Sequence, residues 1–289
     1  MEGKVVVYKD QGELAERFTE ALMERIAAAR EGRFDLAISG GSTPQIVFSA
    51  LAAKYADSPL WQKTHFWWVD ERMVPPDHPE SNFGVANRLL FSKIRIPEKN
   101  IHRIRGENEP YQEANSYAQQ IKAEVPAQSC LPENAIRSAH FDRLENSEVP
   151  AHDSQSTNPD APAFNGRPTN PEEPAHNSRP VFDLIILGLG NDGHTASIFP
   201  DQMELLDSEL ICAVAHHPVS GQARVTLTGK QINHAFEICF LVTGTSKAEK
   251  LSDIAQNGTK ASLLPAAHIY PVNGILSWYC DAAAVEFVL

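Results

Sequence analysis

The sequence predicts an α/β fold in which a mostly parallel sheet is covered by helices on both faces. Short apolar segments typical of strands alternate along the chain with longer segments that have helical periodicity. Residues 182–187, Phe-Asp-Leu-Ile-Ile-Leu, are nearly all apolar and end at a glycine. Such segments are typical of parallel strands buried on both faces, whereas strands with one solvated face alternate apolar and polar residues.

The first half of the chain contains three strand and four helix patterns in alternation. Residues 11–30 place apolar side chains at spacings of three and four, which predicts an amphipathic helix packed on a sheet. A second helix is predicted to follow two glycines and to run through Lys54, and the third strand is rich in aromatic residues. The remaining predictions for this half are strands at Val5–Tyr8, Phe34–Ser39 and His65–Val69 and helices at Asn82–Phe91 and Glu109–Glu124.

The second half continues the alternation with shorter elements. After the strand at 182–187, apolar segments predict strands at Val225–Leu227, Glu237–Val242 and Val285–Leu289. The pattern of Ser246–Asn257 predicts a helix between the last two of these strands.

Residues 126–180 interrupt this organisation. They contain nine prolines among Asn, Ser, His and Glu, and little apolar periodicity. A stretch of this length without periodic pattern is unusual inside a compact domain. We therefore expect a single domain over 1–289 with an exposed insertion at about 126–180, and a partly ordered lid is the alternative.

Composition limits the classes of function. The net charge of −12 argues against wide surfaces for nucleic acid or anionic membranes, but local cations and backbone N–H groups still allow a small anionic substrate. The four cysteines lie far apart and form no CxxC pair, which disfavours a zinc ribbon or a thioredoxin-type site. Neither a signal peptide nor an apolar run of about 20 residues is recognised, so the cytoplasm is the expected compartment.

The first candidate motif is Ser39-Gly40-Gly41-Ser42-Thr43-Pro44, between a predicted strand and a helix. Glycines let the backbone approach a ligand closely, and Ser42 or Thr43 can cap the helix. The helix N-terminus presents free N–H groups and a positive dipole end, which suit a phosphate. An ordinary βα turn with a good cap is the alternative.

The second motif is Trp68-Val69-Asp70-Glu71-Arg72, with Ser81-Asn82 ten residues further on. Ligand crevices in parallel sheets lie at the carboxyl ends of strands, and a guanidinium there can hold a phosphate by two hydrogen bonds. Alternatively, Asp70, Glu71 and Arg72 merely neutralise one another in a loop.

The third motif is Gly188–Pro200, Gly-Leu-Gly-Asn-Asp-Gly-His-Thr-Ala-Ser-Ile-Phe-Pro. It satisfies the GxGxxG pattern of dinucleotide sites, with Asp207 or Glu209 about 20 residues beyond the first glycine. Against that interpretation, Asp192 would repel a pyrophosphate, and Phe199-Pro200 would shorten the following helix.

A catalytic interpretation of the same turn is favoured. An imidazole has an ordinary pKa of about 6.5, so His194 can act as a neutral base, and Asp192 two residues earlier can orient it. A metal site would need more ligands than His194, and the side chains of the adjacent His216 and His217 are expected to diverge.

Together the three motifs resemble the 6-phosphogluconolactonase family, which is related to the glucosamine-6-phosphate deaminases and shares their Rossmann-like α/β fold. The resemblance extends over the chain outside 126–180 and includes Arg224–Thr228, Val242–Lys247 and Trp278–Asp281. Deaminases resemble Asp-Gly-His-Ile-Ala-Phe-Asn-Glu-Pro in the third motif, with a carboxylate before the proline that assists ring opening. Phe199 stands at that position here.

The resemblance implies hydrolysis of 6-phospho-D-glucono-1,5-lactone to 6-phospho-D-gluconate, the second step of the oxidative pentose phosphate pathway. The alternatives are a glucosamine-6-phosphate deaminase or sugar-phosphate isomerase, and a non-catalytic sugar-phosphate binding protein. No cofactor or metal and no nucleic-acid or membrane partner is expected, and homo-oligomer formation is left open. The resemblance also implies that His194 is the general base and that Asp192 orients it or holds a sugar hydroxyl. The substrate and phosphate ligands it implies are Gly40, Gly41, Ser42, Thr43, Arg72, Asn82, Arg224 and Lys247.

Overall fold

The computed structural model describes residues 3–29, 32–127 and 179–288. In these ranges the strands are β1 (Lys4–Tyr8), β2 (Phe34–Ile38), β3 (Thr64–Trp68), β4 (Asp70–Arg72), β5 (Ile101–His102), β6 (Leu184–Gly188), β7 (Cys212–His216), β8 (Ala223–Leu227), β9 (Glu237–Val242) and β10 (Ile275–Asp281). The α-helices are α1 (Gln11–Ala28), α2 (Ser42–Tyr55), α3 (Asn82–Leu89), α4 (Pro110–Glu124), α5 (Gly229–Ile232) and α6 (Ala248–Gln256).

Seven strands form the central sheet in the order β1-β10-β9-β6-β2-β3-β5, and every pair in it is parallel. From β2 the chain proceeds outward through β3 to β5, whereas from β6 it proceeds outward in the opposite direction through β9 to β10. The direction therefore reverses between β2 and β6. In open α/β sheets such a reversal creates a crevice at the carboxyl ends of the strands.

Helices cover both faces of this sheet, as the side chains of β3 show. Phe66 packs edge-on against Phe91, which lies just after α3, whereas Trp67 lies 5.9 Å from the ring of Tyr117 in α4. Successive strand residues point to opposite faces, so α3 and α4 lie on opposite sides. The predicted fold class is confirmed.

The helix α1 illustrates how local sequence sets an element. The side chain of Asp10 accepts hydrogen bonds from the backbone N–H groups of Gly12 and Glu13, which caps the helix N-terminus. Its apolar residues, including Leu14, Phe18 and Ile26, are buried in the core. The amphipathic pattern thus packs one stripe of the helix on the sheet.

A second, antiparallel sheet has the order β4-β8-β7. Val69 joins the two sheets, because its N–H donates to Ile38 in β2 and its carbonyl accepts from Leu227 in β8. Arg72 therefore lies in a separate small sheet rather than at the end of the third parallel strand, as the sequence interpretation had placed it.

One predicted strand is wrong, and the ends of other elements differ. The final strand is Ile275–Asp281, and the described residues of the predicted strand at 285–289 form turns. Residues 189–202 form turns and a bridge, so the helix that a dinucleotide site would need after the third motif is absent from this described segment. The helix predicted through residue 30 ends at Ala28, and the other predicted strands and helices are present with ends shifted by a few residues.

Most of the predicted insertion lies outside the described residues, as does Cys130. The described residues on either side of the predicted insertion lie in contact: the N–H of Val181 donates to the carbonyl of Pro126 at 2.8 Å. Cys212, Cys239 and Cys280 are buried free thiols. Among the described helices, none is long and apolar enough to span a membrane.

Candidate active site

A cleft of about 420 Å³ opens at the point where the strand order reverses. It is lined by the loops after β2, β6 and β9 and by side chains of the small sheet. All the sequence-predicted site residues line it, namely Gly40, Gly41, Ser42, Thr43, Arg72, Asn82, Asp192, His194, Arg224 and Lys247. The three motifs therefore form one site, although they lie far apart in the sequence.

The loop after β6 holds a histidine and a carboxylate in direct contact. Oδ1 of Asp192 lies 2.5 Å from Nδ1 of His194, and the same oxygen accepts the backbone N–H of His194 at 3.1 Å. Both side chains are partly exposed to the cleft. The contact fixes which ring nitrogen carries the proton, because a carboxylate can only accept a hydrogen bond.

The Asp192 carboxyl is held in its ionised form. Burial acts to raise the pKa of Asp192, but the hydrogen bonds and charge of His194 outweigh it and lower that pKa to about 2. Asp192 is therefore ionised at neutral pH. An ionised carboxylate on Nδ1 leaves the lone pair on Nε2, and no described residue hydrogen-bonds Nε2.

Gly190 is the reason that the loop can place the ring there. A Cβ atom added to Gly190 would lie 2.2 Å from Nδ1 of His194 and 2.6 Å from Oδ1 of Asp192. The backbone of Gly190 also donates to the carbonyl of His194 and accepts from Gly193, which closes a tight turn. Gly193 itself has a φ of 86°, a conformation that favours glycine.

The loop after β2 leads into α2 without a side-chain cap. Gly41, with a φ of 109°, is the N-cap, and neither Ser42 nor Thr43 caps the helix, contrary to one sequence expectation. The hydroxyl of Thr43 instead pairs with that of Thr243 at 2.7 Å. Ser42 and Thr43 in the first turn of α2 line the cleft, and their uncapped N–H groups can hold an anion there.

Arg72 and Arg224 are direct partners in the antiparallel pair β4–β8. Opposite residues in such a pair project to the same face, and both side chains line the cleft. The buried Nε atoms of both have no hydrogen-bond partner within the described structure. Burial lowers the pKa of Arg224, and the nearby charge of Arg72 lowers it further, although Asp70 opposes this. Two neighbouring guanidinium groups with spare donors suit an anionic ligand.

Glu71 and Asn82 support this part of the cleft. The Glu71 carboxylate accepts the backbone N–H groups of Arg72, Asn82 and Phe83, so it binds the start of α3 rather than neutralising the arginine side chain. Burial raises the pKa of Glu71, although these N–H groups act to lower it. Asn82 donates to the carbonyl of Asp70 at 2.9 Å. A Cβ on Gly40 would lie 1.9 Å from Oδ1 of Asn82, so the two loops are in close contact.

Lys247 supplies a cation from the turn after β9. Its Nζ donates to the side-chain carbonyl of Asn191 at 2.5 Å. Burial lowers the pKa of Lys247, and the nearby Asp192 carboxylate partly opposes that effect. The lysine thus lies beside the turn that carries the His194–Asp192 pair.

Sequence reasoning missed several cleft residues, among them Asp70, Thr243 and His217. Asp70 had been interpreted as a loop charge, but it is buried and accepts the hydroxyl of Ser197 at 2.7 Å. His216 and His217 do diverge as expected. His216 is exposed, whereas His217 is half-buried and lines the cleft. Their adjacency in the sequence does not show which of the two enters the site.

Comparison with known proteins identifies the family. The sequence model described as Glucosamine-6-phosphate isomerases/6-phosphogluconolactonase matches residues 9–278. A 6-phosphogluconolactonase of Haemophilus influenzae is 40% identical over 254 residues, which are 88% of this chain and 87% of that protein. One from Aggregatibacter actinomycetemcomitans is 38% identical with the same coverage of both proteins.

Solved structures agree on the fold. The crystal structure of a devB protein is 35% identical, has a TM-score of 0.76 and covers 99% of each chain. A monomeric glucosamine-6-phosphate deaminase has a TM-score of 0.66 over 98% of this chain and 99% of its own, at 15% identity, which shows the shared fold alone. Since the family match spans nearly the whole sequence, the chain belongs to the glucosamine-6-phosphate isomerase/6-phosphogluconolactonase family.

Proposed function

We propose that the protein hydrolyses 6-phospho-D-glucono-1,5-lactone to 6-phospho-D-gluconate, the second step of the oxidative pentose phosphate pathway. Relatives at 38–40% identity that cover most of the chain carry the name of this activity. The observation that carries the mechanism is the 2.5 Å contact between Asp192 and Nδ1 of His194. It keeps the proton on Nδ1 and leaves the Nε2 lone pair available to a water molecule in the cleft.

In the proposed reaction, Nε2 of His194 takes a proton from water as the water oxygen bonds to the lactone carbonyl carbon. The carbonyl electron pair moves onto its oxygen, which gives a tetrahedral oxyanion. The oxyanion then collapses, the bond between this carbon and the ring oxygen breaks, and the ring oxygen receives the proton from the imidazolium. Asp192 orients the ring throughout and stabilises its cationic form.

Backbone N–H groups near His194 would stabilise the oxyanion. The N–H groups of Gly190 and Gly193 already donate within their own turn. We therefore assign the oxyanion donors to the N–H groups of Gly40 and Gly41, which line the same cleft. A lactone is already electrophilic, so this mechanism uses neither a covalent nucleophile nor a metal.

Cations from two parts of the fold would bind the anionic substrate. Lys247 and the first turn of α2 lie on one side of the site, where the free N–H groups of Ser42 and Thr43 suit a phosphate. Arg72 and Arg224 add two guanidinium groups from the small sheet.

Within the described residues no cluster of three His, Cys, Asp or Glu side chains is arranged to hold a metal ion.

Deamination of glucosamine 6-phosphate is the rival activity within the family. The position of the carboxylate that assists ring opening in deaminases is occupied here by Phe199, which is fully buried. Its ring lies 4.9 Å from that of His194 and cannot transfer a proton. This side chain favours the lactonase.

Two assays separate these activities. The first follows loss of freshly generated lactone against its spontaneous hydrolysis, and the second follows ammonia release from glucosamine 6-phosphate. We expect hydrolysis well above the spontaneous rate and no ammonia. Ammonia release without accelerated lactone loss would reverse the assignment.

We also propose that the chain is one domain interrupted at about 126–180. The flanks meet at Pro126 and Val181, just before β6, whereas the cleft lies at the other end of that strand. Replacing 128–178 with a short glycine-serine linker is expected to retain lactone hydrolysis. A complete loss of activity in a folded deletion variant would contradict this.

A further inference from the structure

His217 occupies the cleft without a role in the mechanism above. It follows β7 directly, and its N–H donates to the carbonyl of Gln222, which extends the β7–β8 pairing by one step. Ala215, two residues earlier, pairs with Arg224. Because strand side chains alternate between faces, His217 projects to the same face as Arg224 and Arg72. This face of the small sheet borders the cleft.

Backbone contacts fix the tautomer of His217. Its Nδ1 accepts the N–H groups of Val219 at 3.3 Å and of Ser220 at 3.2 Å. A ring nitrogen that accepts hydrogen bonds carries no proton, so in the neutral ring the proton resides on Nε2. His217 therefore differs from His194, whose Nδ1 faces a carboxylate and whose Nε2 carries the lone pair.

The surroundings keep His217 neutral. Burial lowers its pKa, and the charges of Arg224 and Arg72 lower it further, as does His194 whenever its ring is protonated; Asp192 alone opposes them among the main contributors. A neutral imidazole with its proton on Nε2 is a hydrogen-bond donor. No residue in the described ranges accepts a bond from that nitrogen.

Phe199 holds the ring in place. Its side chain lies edge-on to His217 at 5.4 Å, and the guanidinium of Arg224 lies 5.4 Å from the same ring. A fully buried aromatic ring thus contacts both groups and also His194. Packing against Phe199 therefore positions the hydrogen-bond donors of both His217 and Arg224.

We propose that His217 is a further substrate-binding residue, whose Nε2–H donates to an anionic oxygen of the sugar phosphate beside Arg72 and Arg224. This proposal rests on the proposed function, because it assumes that the cleft binds a sugar phosphate. That oxygen belongs to the phosphate, the anionic group that the lactone and 6-phosphogluconate share, since the lactone carries no carboxylate. His217 takes no part in the proton transfer by His194 in this scheme, so it contributes to binding rather than to the chemical step.

The decisive variant is His217→Asn. The Oδ1 of asparagine can occupy the place of Nδ1 and accept the two backbone N–H groups, so the loop keeps its contacts. The variant lacks any donor at the position of Nε2. His216→Asn is the matched control, because His216 is the adjacent residue, is exposed and projects away from the cleft.

Binding of 6-phosphogluconate is measured by calorimetry for both variants and the wild type. We expect His217→Asn to lose about tenfold or more in affinity, the size of a hydrogen bond to a charged group, and to raise KM with little change in kcat. His216→Asn should match the wild type. Titration with inorganic phosphate should show the same loss in His217→Asn, whereas a loss confined to D-gluconate would place the donor at the carboxylate and contradict the proposal.

Wild-type affinity in His217→Asn would overturn the proposal, as would an equal loss in His216→Asn or a fall in kcat at unchanged KM. These outcomes are separable from failure of the proposed function. If the wild type does not accelerate lactone hydrolysis, the function fails, whereas a normal wild-type rate with an unaffected His217→Asn variant defeats only this proposal.

Discussion

Gly190→Ala is expected to displace the histidine that the mechanism depends on while leaving the chain folded. The added Cβ would lie 2.2 Å from Nδ1 of His194, whereas ordinary van der Waals contact begins at 3.4 Å. The ring must therefore move by about 1.2 Å, or the turn must open by the same amount. Gly190 does not have a positive φ, so the steric contact accounts for the effect.

The size of the effect follows from the geometry. A misplacement of about 1 Å in a reacting group costs on the order of 100-fold in rate. The added methyl group would also lie 2.6 Å from Oδ1 of Asp192, so the contact that fixes the tautomer is disturbed as well. We expect kcat/KM for lactone hydrolysis to fall about 100-fold.

The matched control is Gly188→Ala, two residues earlier at the end of β6, where an added Cβ meets nothing within 4 Å. Steady-state kinetics of both variants, with thermal unfolding to check that they are folded, provide the test. Gly188→Ala should retain most of the wild-type kcat/KM. A folded Gly190→Ala variant with more than half of the wild-type value would refute the steric argument.

Three further predictions concern binding, acid stability and the core. Arg72→Ala should mainly raise KM, as loss of a cation that holds the substrate does, and a large fall in kcat at constant KM would place Arg72 in the chemical step instead. Above about pH 4, Asp192→Asn should unfold at a lower urea concentration than the wild type. This deficit should shrink as the pH falls from 3.8 toward 2, because a pKa that is lowered in the folded state stabilises the fold only while the carboxyl group is ionised. The deficit should be small, since Asp192 is partly exposed and solvent screens it; a deficit that grows on acidification would contradict the sign. Glu237→Gln should cost about 3 kcal/mol or more of unfolding free energy, measured by urea denaturation. The buried guanidinium of Arg25 then loses its counter-charge, and the amide oxygen can accept only one of the two 2.8 Å hydrogen bonds that the carboxylate accepts. A cost below about 1 kcal/mol would show that the pair contributes little.

The parallel sheet was predictable because its strands are nearly uniform apolar segments. The last strand was misplaced for a related reason. Val285 is buried in the core, yet it lies in a turn, since an apolar pattern reports burial and not extended backbone pairing. The true strand contains Ser277 and Asp281, whose polar side chains weaken the apolar signal.

The candidate residues were predictable singly, but their partnership was not. Arg72 and Arg224 meet through antiparallel pairing in a second sheet, and no periodicity in the sequence encodes that long-range register. His217 was missed because an adjacent pair of histidines carries no spacing signal. The His194–Asp192 contact was within reach, since both residues lie in one glycine-rich turn.

The central claim is that His194 removes a proton from the attacking water, and His194→Ala tests it most directly. The measurement is lactone hydrolysis above the spontaneous rate, with calorimetric binding of 6-phosphogluconate in the same preparation and His216→Ala as the control. We predict a fall in kcat of about 10²–10⁴-fold, typical of a lost general base, with 6-phosphogluconate still bound. Near-normal turnover by a folded His194→Ala variant would contradict the mechanism.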